Sequence, residues 1–159
     1  MREKGIIRYV AGVVGAAAVL SACSAGEGAP EGWKVMHGGS VAVAHPKAWE
    51  ETRPAGKSTA GAQASAVLRG AGGRPVGEIT VWPGGATRRG VRAHAMTIDG
   101  RPAQQLRYVE RAADGSSNRA VEITTTDSHG RPVLVRVTGP DVDGWPDELR
   151  QIVNSIDVS

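Results

Sequence analysis

Three runs in the second half of the chain alternate apolar and polar residues, each closed by turn formers, and no other feature restricts the fold as much. Residues 101–110, 119–126 and 132–138 are followed by Asp114-Gly115, Ser128-His129-Gly130 and Gly139-Pro140 respectively. Successive side chains of a strand point to opposite faces, so a period of two over these lengths predicts half-buried strands in an antiparallel meander. Leu106 and Tyr108, Val121 and Ile123, and Val133, Val135 and Val137 each fill one face of their own strand, with Arg107, Glu122 and Arg136 on the other. One face of such a sheet is packed and the other is wet or partly covered.

The last residues have a different period. Pro146 suits a first helical turn, Asp147 and Glu148 favour the positive end of the helix dipole, and Leu149, Ile152, Val153 and Ile156 recur at helical spacing. This helix is expected to cap the open face of the sheet. Upstream, residues 40–44, 64–69 and 77–82 predict three further short strands. The polar stretch 50–63 exceeds an ordinary connection and is a candidate lid, while residues 83–95 carry three glycines and no assignable period. The expected fold class is α+β: an antiparallel sheet of about six strands with a C-terminal helix packed on it.

The chain begins with three zones in the order of an export signal: Arg2, Lys4 and Arg8, an apolar stretch over 9–20, and small residues up to Cys23. An apolar stretch of about 12 residues falls short of the roughly 20 that a spanning helix needs, which marks it as removable. Leu20-Ser21-Ala22-Cys23 resembles the lipobox of bacterial lipoproteins. The resemblance implies cleavage before Cys23 and diacylglycerol on its thiol, and two acyl chains give stable attachment where one is marginal. Cys23 is the sole cysteine of the sequence, so this role leaves none for a disulfide or a cysteine-ligated metal.

The expected organisation is a signal peptide over 1–22, a lipidated cysteine and flexible tether over 23–32, and one domain over 33–159. Nine tether residues of this composition reach roughly 15–18 Å on average, which keeps the domain close to the headgroups. Without the signal, 16 basic residues stand against 15 acidic ones. So near-neutral a chain gives no electrostatic argument for nucleic acid.

Several phrases in order, SVAVAHPKAW with Pro46 and Trp49, TIDGRPAQQLRYVER, the meander and the closing LRQIVNSIDV, are together similar to the PsbP-like superfamily. That superfamily includes a photosystem II extrinsic protein, a Ran-binding import factor and the LpqN-type lipoproteins of actinobacteria. The resemblance covers nearly all of residues 33–159. It implies an α/β/α sandwich around an antiparallel sheet, with Trp49 packed on that sheet. The sequence departs from the pattern in its Gly-rich middle, where helix is usual. A shared fold of this kind does not carry function.

Individual motifs offer little chemistry. Ala55-Gly56-Lys57-Ser58-Thr59 has the end of a phosphate-binding loop, but Glu51 stands where its first glycine belongs. His37-Gly38-Gly39-Ser40 suggests an oxyanion loop, yet no Gly-x-Ser-x-Gly elbow accompanies it. His37, His45, His94 and His129 show no metal-ligand spacing, and Asp127 and His129 flank a hairpin. Arg88, Arg89 and Arg92 form the one dense basic patch, either a solvated loop face or a contact for anionic headgroups or wall phosphates. Trp49 and Trp145 look like core, whereas Trp33 and Trp82 suit core or an exposed contact.

The expectation is a non-enzymatic binding module without cofactor or nucleic acid. It is held to the extracytoplasmic face of the cell membrane through Cys23 and binds an envelope protein, glycolipid or wall component. The alternative is an envelope hydrolase or metal-dependent enzyme. His45 and His94 meeting a carboxylate in a pocket would favour that alternative.

Overall fold

Ten strands and one α-helix are formed by the described residues of the computed structural model, which are 29–54, 59–85, 88–112, 114–143 and 145–159. The signal segment, Cys23, the start of the tether and residues 55–58 of the phosphate-loop-like phrase lie outside them. In chain order the elements are β1 (Lys34–Gly38), β2 (Val41–His45), β3 (Trp49–Thr52), β4 (Ala64–Arg69), β5 (Pro75–Pro83), β6 (Ala93–Ile98), β7 (Arg101–Arg111), β8 (Ser117–Thr126), β9 (Pro132–Pro140), α1 (Trp145–Asn154) and β10 (Asp157–Val158). Strands β3-β4-β5-β9-β8-β7-β6 form a seven-stranded sheet, and β1-β2-β10 a three-stranded one. All pairings are antiparallel.

Register assigns the faces, because residues directly opposite one another point the same way. Ala66 pairs with Ile79, Ile79 with Val137 and Val137 with Val121, so these side chains line one face of the large sheet. Ile79 and Val137 are fully buried there. The inner face of the small sheet covers one part of this surface. Gly38 approaches so closely that a Cβ on it would lie 2.9 Å from Ala64 Cβ and 3.1 Å from Val81 Cβ.

Helix α1 covers the next part with Trp145, Leu149, Ile152 and Val153, all buried. Burial of each such side chain is worth about 1.5–3 kcal/mol. Trp145 stacks on Trp49 with ring centroids 5.9 Å apart and planes 20° apart. Trp49 in turn donates its Nε1–H to Glu148 Oε1 at 3.1 Å. At the other end of the helix, Ser155 Oγ accepts from Ala44 N at 2.9 Å and donates to Ile152 O at 2.7 Å. Strand β10 then completes the small sheet, with Ser159 N donating to Ser40 O at 2.9 Å and Val158 N to Asp99 Oδ2 at 2.8 Å.

The α+β class, the meander and the C-terminal helix match the sequence reading, and four short strands are added to the expected six. Lys34–Gly38 and Asp157–Val158 are recruited as partners of β2. Trp49–Thr52 occupies the start of the stretch read as a long polar loop, which shortens the candidate lid. Ala93–Ile98 occupies the end of the Gly-rich stretch, whose described residues hold no helix.

Gly139-Pro140 is also corrected: it is not a turn but the end of β9. Among the described residues α1 is the one α-helix. The opposite face of the large sheet meets the connection after β5 where a helical layer was implied, with Gly85 against Thr124 and Arg88 N donating to Glu122 Oε2 at 3.3 Å.

Candidate functional site

The large sheet extends past the helix toward β6, leaving a groove of about 440 Å³ between α1 and strands β6 to β8. Its apolar lining comes from Met96, Val109, Val121, Leu149 and Val153. A smaller hollow of about 210 Å³ shares Met96, Val153 and Asn154 with it and continues toward Ile98 and Ile156. The result is an elongated space along the flank of the helix.

Three arginines line the groove: Arg107, Arg119 and Arg150. Two have carboxylate partners. Arg119 Nε lies 2.5 Å from Asp141 Oδ1, and Arg150 pairs with Asp147, another lining residue. Arg107 is placed differently. Its Nε donates to Oε1 of the buried Gln105 at 2.9 Å, and among the described residues no carboxylate is paired with it. Since Arg107 stands opposite Val121 in the β7–β8 register, it lies on the packed face of the sheet, where the helix no longer covers it.

Polar groups on the other face are matched to one another. Tyr108 donates to Glu122 Oε1 at 2.5 Å, and Arg136 Nη2 donates to both oxygens of Glu110 at 2.8 and 2.7 Å. Arg88 lies over the Tyr108 ring, 4.6 Å from its centroid, with Nη1 3.7 Å from Glu110 Oε2. Burial, reinforced by the Glu122 carboxylate, raises the Tyr108 pKa above its ordinary value. Burial disfavours charge on Arg136, but Tyr108, Glu110 and Glu122 outweigh it and raise its pKa. This closed arrangement secures the connection after β5 to the sheet.

It also divides the basic patch read from the sequence. Arg88 is committed to Glu110, Glu122 and Tyr108, while Arg89 and Arg92 are exposed. The patch is therefore not a single surface of three free cations.

The histidines are dispersed. His45 is fully buried in the small sheet, with Nδ1 3.0 Å from Pro46 O and Nε2 3.8 Å from Glu51 Oε1. His94 is exposed on the outermost strand of the large sheet, and His37 and His129 are also exposed. His45 and His94 thus belong to different sheets and do not share the groove. Among the described residues no group of three or more His, Cys, Asp or Glu is placed to hold a metal ion.

The Gly38-Gly39 phrase is a hairpin, with Gly39 at φ +60°. Asp127 closes the β8–β9 turn by accepting from His129 N and Arg131 N at 2.9 Å each and from Arg131 Nε at 2.7 Å. Burial would raise its pKa, but the Arg131 backbone and guanidinium donors, with His129 N, outweigh it and hold the carboxyl at about 2. Trp49 and Trp145 are core, as read, while Trp33 and Trp82 are partly buried.

Met96, Gln105, Arg107, Arg119 and Arg150 did not stand out in the sequence as one site. Asp99-Gly100 was the available signal. Both residues have positive φ, +49° and +75°, and they join Ile98 to Arg101 in a two-residue hairpin of the kind that Asp-Gly favours. That hairpin places β6, with Met96, beside β7.

No protein-family model and no curated protein sequence matches the chain. Among solved structures, the solution structure of cyanobacterial PsbP (CyanoP) from Synechocystis is similar at TM-score 0.55 and 14% identity, over 86% of this chain and 98% of that one. The fold is PsbP-like. A crystal structure from Bacteroides thetaiotaomicron aligns at TM-score 0.49 and 14% identity over 80% of this chain, which spans about half of that one, 48%. At such identity the PsbP likeness extends to the fold alone. No helix among the described residues is long and apolar enough to cross a membrane.

Proposed function

We propose that the chain is a lipid-anchored binding module at the extracytoplasmic face of a cell membrane. Cys23 carries the lipid, and the PsbP-like domain holds an envelope component in the groove beside α1. The groove carries this reading. Its 440 Å³ lies within the range of small-molecule sites, about 300–1,000 Å³, and it combines an apolar lining with a few convergent polar groups. Arginines, a glutamine and aliphatic side chains bind and orient a ligand, which suits a binder and not an enzyme.

Anchoring and binding are tested separately. Cys23→Ala is expected to abolish palmitate labelling and leave the precursor uncut at that point; a variant still labelled would refute the anchor. For binding, a photoreactive residue placed at Met96 in intact cells is expected to yield an adduct of defined mass that the same residue at Trp82, on the opposite face, does not. Equal labelling from the two positions would refute the groove as the site.

A further inference from the structure

The ligand's chemistry can be read from the groove, on the premise that the groove is the binding site. Its lining combines two chemistries. Arg107, Arg119 and Arg150 line it, with Asp147 paired to Arg150. Met96, Leu149 and Val153 give it an apolar strip, and the adjoining hollow shares Met96 and Val153 and continues to Ile98 and Ile156. A compact ion would leave the apolar strip unfilled, and a purely apolar ligand would leave Arg107 without a counterpart.

We infer that the groove binds an anionic amphiphile, a molecule with one alkyl or acyl chain along Met96, Leu149 and Val153 and a carboxylate or phosphate against Arg107. The choice of Arg107 follows from charge accounting. Arg119 and Arg150 are each neutralised by an aspartate, whereas Arg107 is held through Nε by Gln105, and among the described residues its two Nη groups have no carboxylate partner and are left for the ligand. A guanidinium fixed on one side by a neutral amide keeps its full charge. It offers the paired donors that planar or tetrahedral oxyanions accept. Gln105, 7% exposed, is buried and its position is set by the sheet, so Gln105 acts as a positioning residue for Arg107.

The test uses the full-length chain in phosphatidylcholine nanodiscs, with empty discs as the blank, titrated calorimetrically with octyl phosphate, octyltrimethylammonium and inorganic phosphate. Octyl phosphate is expected to bind at least about tenfold more tightly than either of the others. Arg107→Gln should weaken octyl phosphate about tenfold, the scale of one charge-assisted hydrogen-bonded contact, and leave octyltrimethylammonium unchanged. Met96→Trp, which fills the groove from an edge strand, should abolish octyl phosphate binding while circular dichroism stays that of the parent chain.

Equal binding of the two octyl probes, both lost in Met96→Trp, would overturn the anionic preference and leave the groove as a binding site. Inorganic phosphate binding as tightly as octyl phosphate would overturn the amphiphile. Absence of binding by every probe would overturn the inference as a whole, whereas the binding-module reading is decided by the Met96 crosslink.

Discussion

Gly139→Ala offers a sharp test of how the helix is fastened to the sheet. Gly139 is extended in β9, and a Cβ there would overlap Cζ2, Cε2 and Cη2 of Trp145. The indole is confined: Trp145 is 4% exposed and its ring stacks on Trp49. Replacing glycine by alanine lowers the entropy of the unfolded chain, a gain of about 0.4–1 kcal/mol. Overpacking a filled core costs about 1–3 kcal/mol and at times more, and here the overlap is with an immobile ring.

The expected net loss is about 2–3 kcal/mol, or roughly 6–15 °C in Tm for a domain of this size. Urea denaturation followed by tryptophan fluorescence and circular dichroism measures it. Trp145→Phe withdraws the ring atoms that the new methyl would meet, and it also removes a buried indole Nε1–H that has no hydrogen-bond partner among the described residues. In that background the cost of Gly139→Ala should fall by at least about 1 kcal/mol, a coupling typical of residues in contact. Wild-type stability for Gly139→Ala, or the same cost in both backgrounds, would refute the packing argument.

Two further predictions concern titration. Asp127 has a folded pKa of about 2, against about 3.9 for a free aspartate, so its stabilisation is complete above the unfolded value and disappears as pH falls through the folded one. Asp127→Asn should therefore be less stable than the parent at pH 7, with the gap closing between about pH 4 and pH 2; a gap independent of pH would count against the turn network. Glu122→Gln should move the Tyr108 ionisation down toward the ordinary tyrosine value in an ultraviolet titration, though only part of the way, because burial is the larger cause and persists. An unmoved Tyr108 would mean that the Glu122 contact contributes nothing.

Legibility in the sequence followed the strength of local signals. The meander was readable because β7, β8 and β9 are 11, 10 and 9 residues long, enough for an alternating pattern to show over part of each strand. The helix was readable because Leu149, Ile152 and Val153 keep its period. Strands β1, β3 and β10 have five, four and two residues, too few for periodicity to register, and they exist because neighbouring strands offer free backbone partners. Gly139 had the look of a breaker, and tertiary packing explains it: the residue is small because Trp145 lies on it.

The groove was not readable for a related reason. Alternation divided Arg107 from Leu106 and Tyr108, but it could not say which of the two sets faces the helix. The register of Arg107 with Val121 decides that, and register is a property of the pair of strands. The three arginines come from β7, β8 and α1, so nothing in their spacing along the chain draws them together.

Strand β2 lies between β1, which precedes it by two residues, and β10, more than a hundred residues later. A nascent chain therefore has β1 and β2 long before the partner that completes their sheet. Until residues 157–158 pair with it, one edge of β2 stays open beside Val41 and Ala42. Closure of the small sheet thus waits on a pairing between segments more than a hundred residues apart, which ties residues 157–158 to the first hairpin of the domain.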